Sequence, residues 1–166
     1  MTSSVAAFID YENIRRGLLQ HFQKRVPEDI PVSSLLQVIK EIASGVGGLY
    51  EAQVFGDWTV RSQDAHEIEK TPLFRAVLVL RADSKKDRTD PVMNFAIDDT
   101  IRDKPEDNTI LLCSGDADFC EVVRRSVKNS KTVYVCAVGP HTAPELLSLS
   151  KAFYSIEQRL GLATSS

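Results

Sequence analysis

The sequence predicts an α/β domain in which helices cover both faces of a mostly parallel central sheet, a three-layer α/β/α arrangement. Short runs that are apolar throughout, such as Val5–Ile9 and Ala76–Leu80, alternate with longer segments of helical periodicity. Such runs are typical of strands buried on both faces of a parallel sheet. The 166 residues match the usual ~100–200 residues of one domain. We therefore expect a single domain over residues 1–166, with its core at about 5–155 and a short C-terminal tail.

The first half of the chain shows this alternation clearly. Ile14, Leu18 and Phe22 recur at a spacing of four, which predicts a helix with one buried stripe. Either Ser33 or Ser34 is expected to cap the next helix, which ends at a group of glycines. The predicted elements are a strand at Val5–Ile9, helices at Glu12–Lys24 and from Ser33 to about Gly45, a strand at Leu49–Phe55, a weakly helical segment at 57–74 and a buried strand at Ala76–Leu80.

The second half continues the pattern to the C-terminal region. Asp90 followed by Pro91 is typical of an N-cap and a first helical position, and it predicts a helix that runs to about Asp103. The remaining predicted elements are a strand at Thr109–Cys113, a helix at Asp118–Asn129 with Phe119, Val122, Val123 and Val127 facing inward, a strand at Thr132–Val138, a short helix from Thr142 or Ala143 to Leu149, and an edge strand at Ala152–Tyr154 that would permit a homodimer.

Composition excludes several classes of protein. Hydrophobic residues make up 43% and charged residues 26% of the chain, which is an ordinary globular mixture and excludes a disordered or fibrous protein. No apolar run approaches the ~20 residues needed to cross a bilayer, and no secretory signal is visible, so we expect a cytoplasmic protein. The formal net charge of −3 means that nucleic-acid binding requires a local basic patch. Three cysteines without a CxxC pair and three scattered histidines argue against a disulfide framework or a zinc site.

Acidic residues follow three of the predicted strands. In an open α/β sheet, ligands bind outside the carboxyl ends of the strands. Carboxylates brought together there repel one another unless a proton or a cation neutralises them. Oxygen ligands without histidine or cysteine suit Mg²⁺ or Mn²⁺. These residues, called the acid rim below, are Asp10 after the first strand, Asp90 at the start of the helix after Ala76–Leu80, and Asp116 and Asp118 after Thr109–Cys113.

Each aspartate also has a simpler interpretation, because an aspartate after a strand is often only the N-cap of the next helix. Asp90 before Pro91 fits that interpretation best. Asp116 and Asp118 favour a cation site, since Ser-Gly-Asp-Ala-Asp places two acids and a tight turn between an apolar strand and a helix. A phosphoryl-accepting receiver domain also collects aspartates at strand ends. It would need a lysine after the last long strand, where this chain has residues 139–141, Gly-Pro-His.

Phe8–Asn13 reads FIDYEN, and Ser114–Phe119 reads SGDADF. These two segments resemble the signature motifs of the NYN domain, a branch of the PIN-like nuclease superfamily that includes the bacterial LabA-like proteins. Phe55–Trp58 and Lys85–Asp90, the latter followed by Ile97–Asp98, resemble two further parts of the family pattern. The resemblance extends from Val5 to about Tyr154. It implies a PIN-like α/β/α fold and metal-dependent hydrolysis of RNA phosphodiester bonds.

The resemblance also implies roles for single residues. Asp10, Asp90, Asp116 and Asp118 would be the catalytic and metal-binding carboxylates. Asp98 matches the family's helix aspartate, but it lies eight residues after Asp90 and so about 80° around the helix. Asn94, four residues after Asp90, is an alternative ligand on a more similar face. The supporting residues are therefore Asn13 beside Asp10, Ser114 in the turn, Asn94 and Asp98.

Basic and aromatic residues near the acid rim are candidates for contact with the substrate. Lys85, Lys86 and Arg88 directly precede Asp90, and we expect them to contact the phosphates of single-stranded RNA, which positions a strand without reading its sequence. Trp58 is the only tryptophan, and it is expected either to stack on a base or to pack in the core.

The predicted function is a metal-dependent ribonuclease that uses one or two Mg²⁺ or Mn²⁺ ions to activate water against an RNA phosphate. The alternative is a non-catalytic nucleic-acid-binding or protein-binding regulatory module of the same fold. The negative net charge favours that alternative slightly.

Overall fold

The structure is a computed structural model that describes residues 3–22, 30–80, 89–106 and 108–162, with residues 89 and 90 described by their backbone alone. Within this part of the chain, six parallel strands form one sheet in the order β3-β2-β1-β4-β5-β6. The strands are β1 (Ser4–Asp10), β2 (Gly48–Gly56), β3 (Phe74–Leu78), β4 (Thr109–Cys113), β5 (Thr132–Ala137) and β6 (Phe153–Ser155).

Helices cover both faces of this sheet and make it the middle layer of three. Residues along β1 alternate between two hydrophobic clusters, with Val5, Ala7 and Ile9 in one and Ala6 and Phe8 in the other. The first cluster lies under α1 (Tyr11–Phe22), α2 (Val32–Val46), α3 (Ser62–Lys70) and α7 (Ile156–Arg159), and the second lies under α4 (Thr89–Asp103), α5 (Cys120–Lys128) and α6 (Pro144–Leu149).

The strand order creates a switch point between the two central strands. β1 pairs with β4 through a register that sets Ile9 opposite Cys113. From β1 the chain next builds β2 and β3 on one side, whereas β4 is followed by β5 and β6 on the other side. Connections that diverge in this way leave a crevice at the carboxyl ends of the two strands, where α/β proteins bind their ligands. Asp10 ends β1 and Ser114 follows β4, so both residues lie at this crevice.

The α/β fold class is confirmed, but several local predictions are wrong. The strand predicted at Ala76–Leu80 is Phe74–Leu78, and it lies at an edge of the sheet with Leu78 and Leu80 exposed instead of buried. The helix predicted to begin at Ser33 or Ser34 begins at Val32 after Pro31, and no side chain caps it.

Further corrections concern where two helices begin and which face of α5 is buried. α4 already includes Thr89 and Asp90, so Asp90 lies inside the helix and is not its N-cap. In α5, Val127 is 50% exposed and Ser126 is buried in its place. Ser126 is accommodated there because its hydroxyl donates a hydrogen bond to the carbonyl of Val122 at 2.7 Å. A 3-10 turn at Ala117–Phe119 precedes α5 and separates it from the predicted start at Asp118.

The cysteines are free thiols and all three are buried. The Sγ atoms of Cys113 and Cys136 lie 3.3 Å apart on the neighbouring strands β4 and β5. Burial raises the pKa of the Cys113 thiol well above its ordinary value. None of the helices in the described part of the chain has the length and apolar character that crossing a bilayer requires.

Candidate active site

The carboxylate of Asp10 links the ends of the two central strands. Asp10 is the last residue of β1 and is only 2% exposed. Its Oδ2 accepts a hydrogen bond from the hydroxyl of Ser114 at 3.3 Å, and its Oδ1 accepts one from the backbone N–H of Asn13 at 3.2 Å. Buried carboxylates are costly unless they are hydrogen-bonded or paired with a cation. Asp10 is thus an acidic group held rigidly at the switch point.

A second hydrogen bond crosses between the two family-like segments. The side-chain Oδ1 of Asn13 accepts from the backbone N–H of Gly115 at 2.9 Å. Gly115 is surrounded tightly, because a Cβ there would lie against the carbonyl oxygen of His141 and 2.8 Å from the Cα of Thr142. Only a glycine therefore allows the turn after β4 to approach both α1 and the segment after β5.

The turn after β4 is organised by its own polar side chains. The hydroxyl of Ser114 accepts from the N–H of Asp116 at 3.3 Å, and Oδ1 of Asp116 accepts from the N–H of Asp118 at 2.9 Å. Asp116 thereby caps the 3-10 turn at Ala117–Phe119. It is half-buried, while Asp118 is exposed. Asp116 therefore acts as an N-cap, which is the simpler of the two interpretations given above. Its Oδ2 takes no part in the capping hydrogen bond.

Helix α4 carries two of the residues predicted to support the site, Asn94 and Asp98. The helix packs against β1 and against the 3-10 turn. The side-chain Oδ1 of Asn94 is buried and has no hydrogen-bond partner within the described residues. Asp98 instead forms a bidentate pair with the guanidinium of Arg125 on α5, at 3.1 and 3.0 Å. The predicted supporting residues of this helix therefore differ, since Asn94 keeps an unsatisfied oxygen and Asp98 ties α4 to α5.

Four residues predicted for the site fall at or beyond the edge of the described chain. Asp90 lies in the first turn of α4 by its backbone, and its side chain is outside the described residues. Lys85, Lys86 and Arg88 are outside the described residues altogether. Their expected roles at the rim and in contact with substrate therefore stay predictions.

The donor atoms at the crevice suit a hard divalent cation, although the described carboxylates do not complete a site. Among the described residues, no three His, Cys, Asp or Glu side chains come together as a metal-binding group. Asp10 and Asp116 offer carboxylate oxygens, and Asn94 offers a buried amide oxygen that lacks a hydrogen bond. An all-oxygen donor set is what Mg²⁺ and Mn²⁺ prefer. The residues present thus fit such an ion in chemistry, with Asp90 as the further ligand that the sequence predicts.

A pair of histidines lies behind the turn, and sequence analysis did not find it. The rings of His21 and His141 are 5.8 Å apart, although the two residues are distant in sequence. Burial lowers the pKa of His141, and the neighbouring His21 and Arg16 lower it further, while Asp116 opposes them. No local motif could reveal this pair, because it forms only when the segment after β5 packs on α1.

Aromatic and charged residues surround Tyr11, which follows Asp10 in the chain. The Tyr11 hydroxyl donates to Oδ2 of Asp64 at 2.5 Å, and burial together with this bond raises the pKa of Tyr11. Trp58 packs on Tyr11 with ring centroids 5.1 Å apart, and its Nε1 donates to the carbonyl of Val77 at 2.9 Å. Trp58 is 8% exposed, so of its two predicted roles the structure shows core packing. Sequence analysis missed Asp64 and Arg61 because they lie in the weakly patterned segment 57–74.

The fold and the crevice define a class of protein: a parallel α/β protein with an acidic candidate site at its topological switch point. The model of the NYN domain family matches residues 4–157 of the chain. The chain therefore belongs to the NYN domain family, which is part of the PIN-like nuclease superfamily, and the family resemblance of its motifs is confirmed.

A solved structure supports the same fold. The chain is similar to a protein of unknown function from Vibrio parahaemolyticus, with a TM-score of 0.73, 20% sequence identity and coverage of 95% of each chain. At this identity the likeness concerns the fold alone. No curated protein matches the chain in a sequence search.

Proposed function

We propose that this protein is a metal-dependent ribonuclease that hydrolyses phosphodiester bonds of single-stranded RNA at the acid rim. The observation that carries the proposal is the buried carboxylate of Asp10, held by Ser114 and Asn13 at the crevice between β1 and β4. Membership of a nuclease superfamily supports the same reaction class. A buried acid at a ligand-binding crevice is more readily explained by a site than by stability alone, because burying it costs free energy.

The residues of the acid rim would bind the metal ions in a fixed orientation. Asp10, Asp116, Asp118 and Asp90 would hold one or two Mg²⁺ or Mn²⁺ ions. Such an ion would lower the pKa of a bound water and would stabilise the charge that develops on the phosphate. Asp10 is fixed by two hydrogen bonds, so its oxygens are oriented before any ligand arrives. This preorganisation lowers the cost of reaching the transition state.

Supporting side chains would keep the acids in place. Asn13 holds Gly115 and thus the turn that carries Asp116. Asn94 would turn its unsatisfied Oδ1 toward a bound ion. Asp98 would act indirectly, through its pair with Arg125 that fixes α4 beside α5. In this proposal Asp98 is a positioning residue and not a ligand.

Recognition of RNA would come from cations beside the rim. Lys85, Lys86 and Arg88 precede α4 in the sequence, and we propose that their side chains neutralise backbone phosphates. Contacts of this kind give affinity that depends on salt and carry no sequence information. They also offset the repulsion that the chain's net charge of −3 exerts on a polyanion.

The test is cleavage of an end-labelled single-stranded RNA by purified protein in Mn²⁺, Mg²⁺ or EDTA. We expect wild-type protein to cleave only with a divalent cation, and Asp10→Asn and Asp116→Asn to lose at least ~100-fold in rate, which is the scale of losing a group that stabilises the transition state. Asp99→Asn is the matched control, since Asp99 is an exposed acid of α4 paired with Arg102. Asp10→Asn that cleaves as well as wild type would contradict the proposal.

A second candidate function is a binding module that retains the acids for structure. The capping bond from Asp116 to the N–H of Asp118 favours this alternative, because it gives Asp116 a role without catalysis. Tight RNA or protein binding that is independent of metal, together with no turnover by wild-type protein, would support it.

A further inference from the structure

A pocket of about 370 Å³ lies between α1 and the starts of α2 and α3. We propose that it binds one nucleotide of the RNA substrate, next to the phosphate that is cleaved. This inference rests on the proposed function for the identity of the ligand. The residues that carry the argument, called the Arg15–Arg61 pocket below, are Arg15, Ile30, Val60, Arg61, Gln63 and Asp64.

Tyr11 connects this pocket to the acid rim. It directly follows Asp10 in the chain, it is buried, and its hydroxyl donates to Asp64 in the pocket wall. The guanidinium carbons of Arg15 and Arg61 both lie 5.8 Å from the centre of the Tyr11 ring. Tyr11 is thus adjacent in the chain to the buried carboxylate and lies near both arginines. An RNA molecule with one phosphate at the acid rim would place the adjacent nucleotide in the pocket.

The two arginines give the pocket its capacity for phosphate. Arg15 donates one hydrogen bond to the carbonyl of Ile30 at 2.9 Å, and no carboxylate pairs with it within the described residues. Arg61 pairs through Nε with Glu12 at 3.1 Å. A guanidinium has five N–H donors, so each side chain retains several for a phosphate group.

The remaining walls suit a base and a sugar better than a simple anion. Ile30 and Val60 provide apolar surface, and Val60 is 73% exposed at the mouth of the pocket. Gln63 carries both a donor and an acceptor on an exposed helix position, which is the combination that reads the edge of a base. The volume is at the lower end of the ~300–1,000 Å³ found for small-molecule pockets, which fits one nucleotide and not a longer segment.

The test measures binding separately from cleavage. The affinity of a short fluorescein-labelled single-stranded RNA is followed by fluorescence anisotropy in EDTA. We expect Arg15→Gln and Arg61→Gln each to raise the Kd about tenfold and to reduce the slope of log K against log salt by ~0.7, the value for one phosphate contact on a single strand. Arg75→Gln is the matched control. Arg75 is an exposed arginine of β3 that pairs with Glu51 of the neighbouring strand β2.

A second variant protects the test against a loss of folding. Val60→Asp changes only an exposed side chain at the pocket mouth, and the added negative charge should also raise the Kd about tenfold. Binding equal to wild type in Arg15→Gln, Arg61→Gln and Val60→Asp would overturn the pocket proposal, as would wild-type protein that binds no RNA in EDTA.

The two proposals fail in different ways. If the pocket variants weaken RNA binding but wild-type protein does not cleave RNA with Mn²⁺ or Mg²⁺, the pocket stands and the ribonuclease proposal fails. If cleavage requires a metal and Asp10 while the pocket variants bind RNA like wild type, the ribonuclease stands and the pocket fails.

Discussion

At the residue scale, the site depends on side chains whose partners are far away in sequence. Asp10 and Ser114 are 104 positions apart and share one hydrogen bond. The sequence predicts Asp10 for the site because it follows an apolar run and parallel strands end at one edge of a sheet, and it predicts Ser114 because the segment Ser114–Phe119 resembles a family motif. It could not predict the bond, since the neighbours of a strand in a parallel sheet are not determined by its own residues.

The histidine pair leads to a prediction for stability against pH. The pKa of His141 is lowered in the folded protein by burial and by its neighbours. The unfolded chain therefore binds more protons than the folded chain just below pH ~6.5, the ordinary pKa of histidine. The stabilisation is complete above that pH and is lost progressively as the pH falls through the lower pKa of the folded state.

Urea unfolding of wild type and His141→Gln at several pH values between ~5 and ~8 measures this effect, since histidine titrates in that interval. We expect the difference in unfolding free energy, wild type minus variant, to decrease as the pH falls below ~6.5. His66→Gln is the control, because His66 is exposed on α3. A difference that is constant or that grows in acid would contradict the account.

At the scale of the elements, the turn after β4 is the critical segment. Gly115 approaches the backbone of the segment after β5 so closely that a Cβ would meet His141 and Thr142. These neighbours are backbone atoms, which cannot rotate away as the end of a side chain can. We expect Gly115→Ala to lower the free energy of unfolding by about 1–3 kcal/mol, the usual cost of overpacking, and to reduce RNA cleavage because the turn carries Asp116.

Gly45→Ala is the matched comparison for this variant. Gly45 lies in α2, and a Cβ there would meet nothing within 4 Å. Alanine in a helix interior is favoured over glycine by roughly 0.5–1 kcal/mol, so this variant should be slightly more stable than wild type. Urea denaturation of both variants checks the pair, and Gly115→Ala as stable as wild type would show that the turn can move.

Local errors in the sequence analysis also belong to this scale. The strand predicted at Ala76–Leu80 is expected to be buried because its residues are apolar, yet the strand that forms, Phe74–Leu78, lies at an edge of the sheet. Val127 is expected to face the core, but Ser126 is buried instead, because its hydroxyl donates a hydrogen bond to the carbonyl of Val122. In both cases tertiary context decides burial, and composition alone does not report it.

At the scale of the whole molecule, the topology places the site. Alternating strands and helices predicted a parallel sheet, but the order β3-β2-β1-β4-β5-β6 is not contained in any local pattern. That order makes β1 and β4 neighbours and so brings Asp10 beside the turn that carries Asp116. The two family-like motifs anticipated this neighbourhood. The Arg15–Arg61 pocket was not anticipated, because Tyr11 and Asp64 lie 53 positions apart and meet only in the fold.

We propose that the acid rim at this switch point binds a divalent cation. Titration calorimetry of Mn²⁺ into wild-type protein, Asp10→Asn, Asp116→Asn and the control Asp99→Asn tests it most directly, with circular dichroism to verify folding. We expect wild type and Asp99→Asn to bind Mn²⁺, whereas the two rim variants should lose binding or bind at least ~10-fold more weakly, which is the lower end of the usual effect of disturbing a metal site. Folded Asp10→Asn and Asp116→Asn that bind Mn²⁺ as tightly as wild type would contradict it.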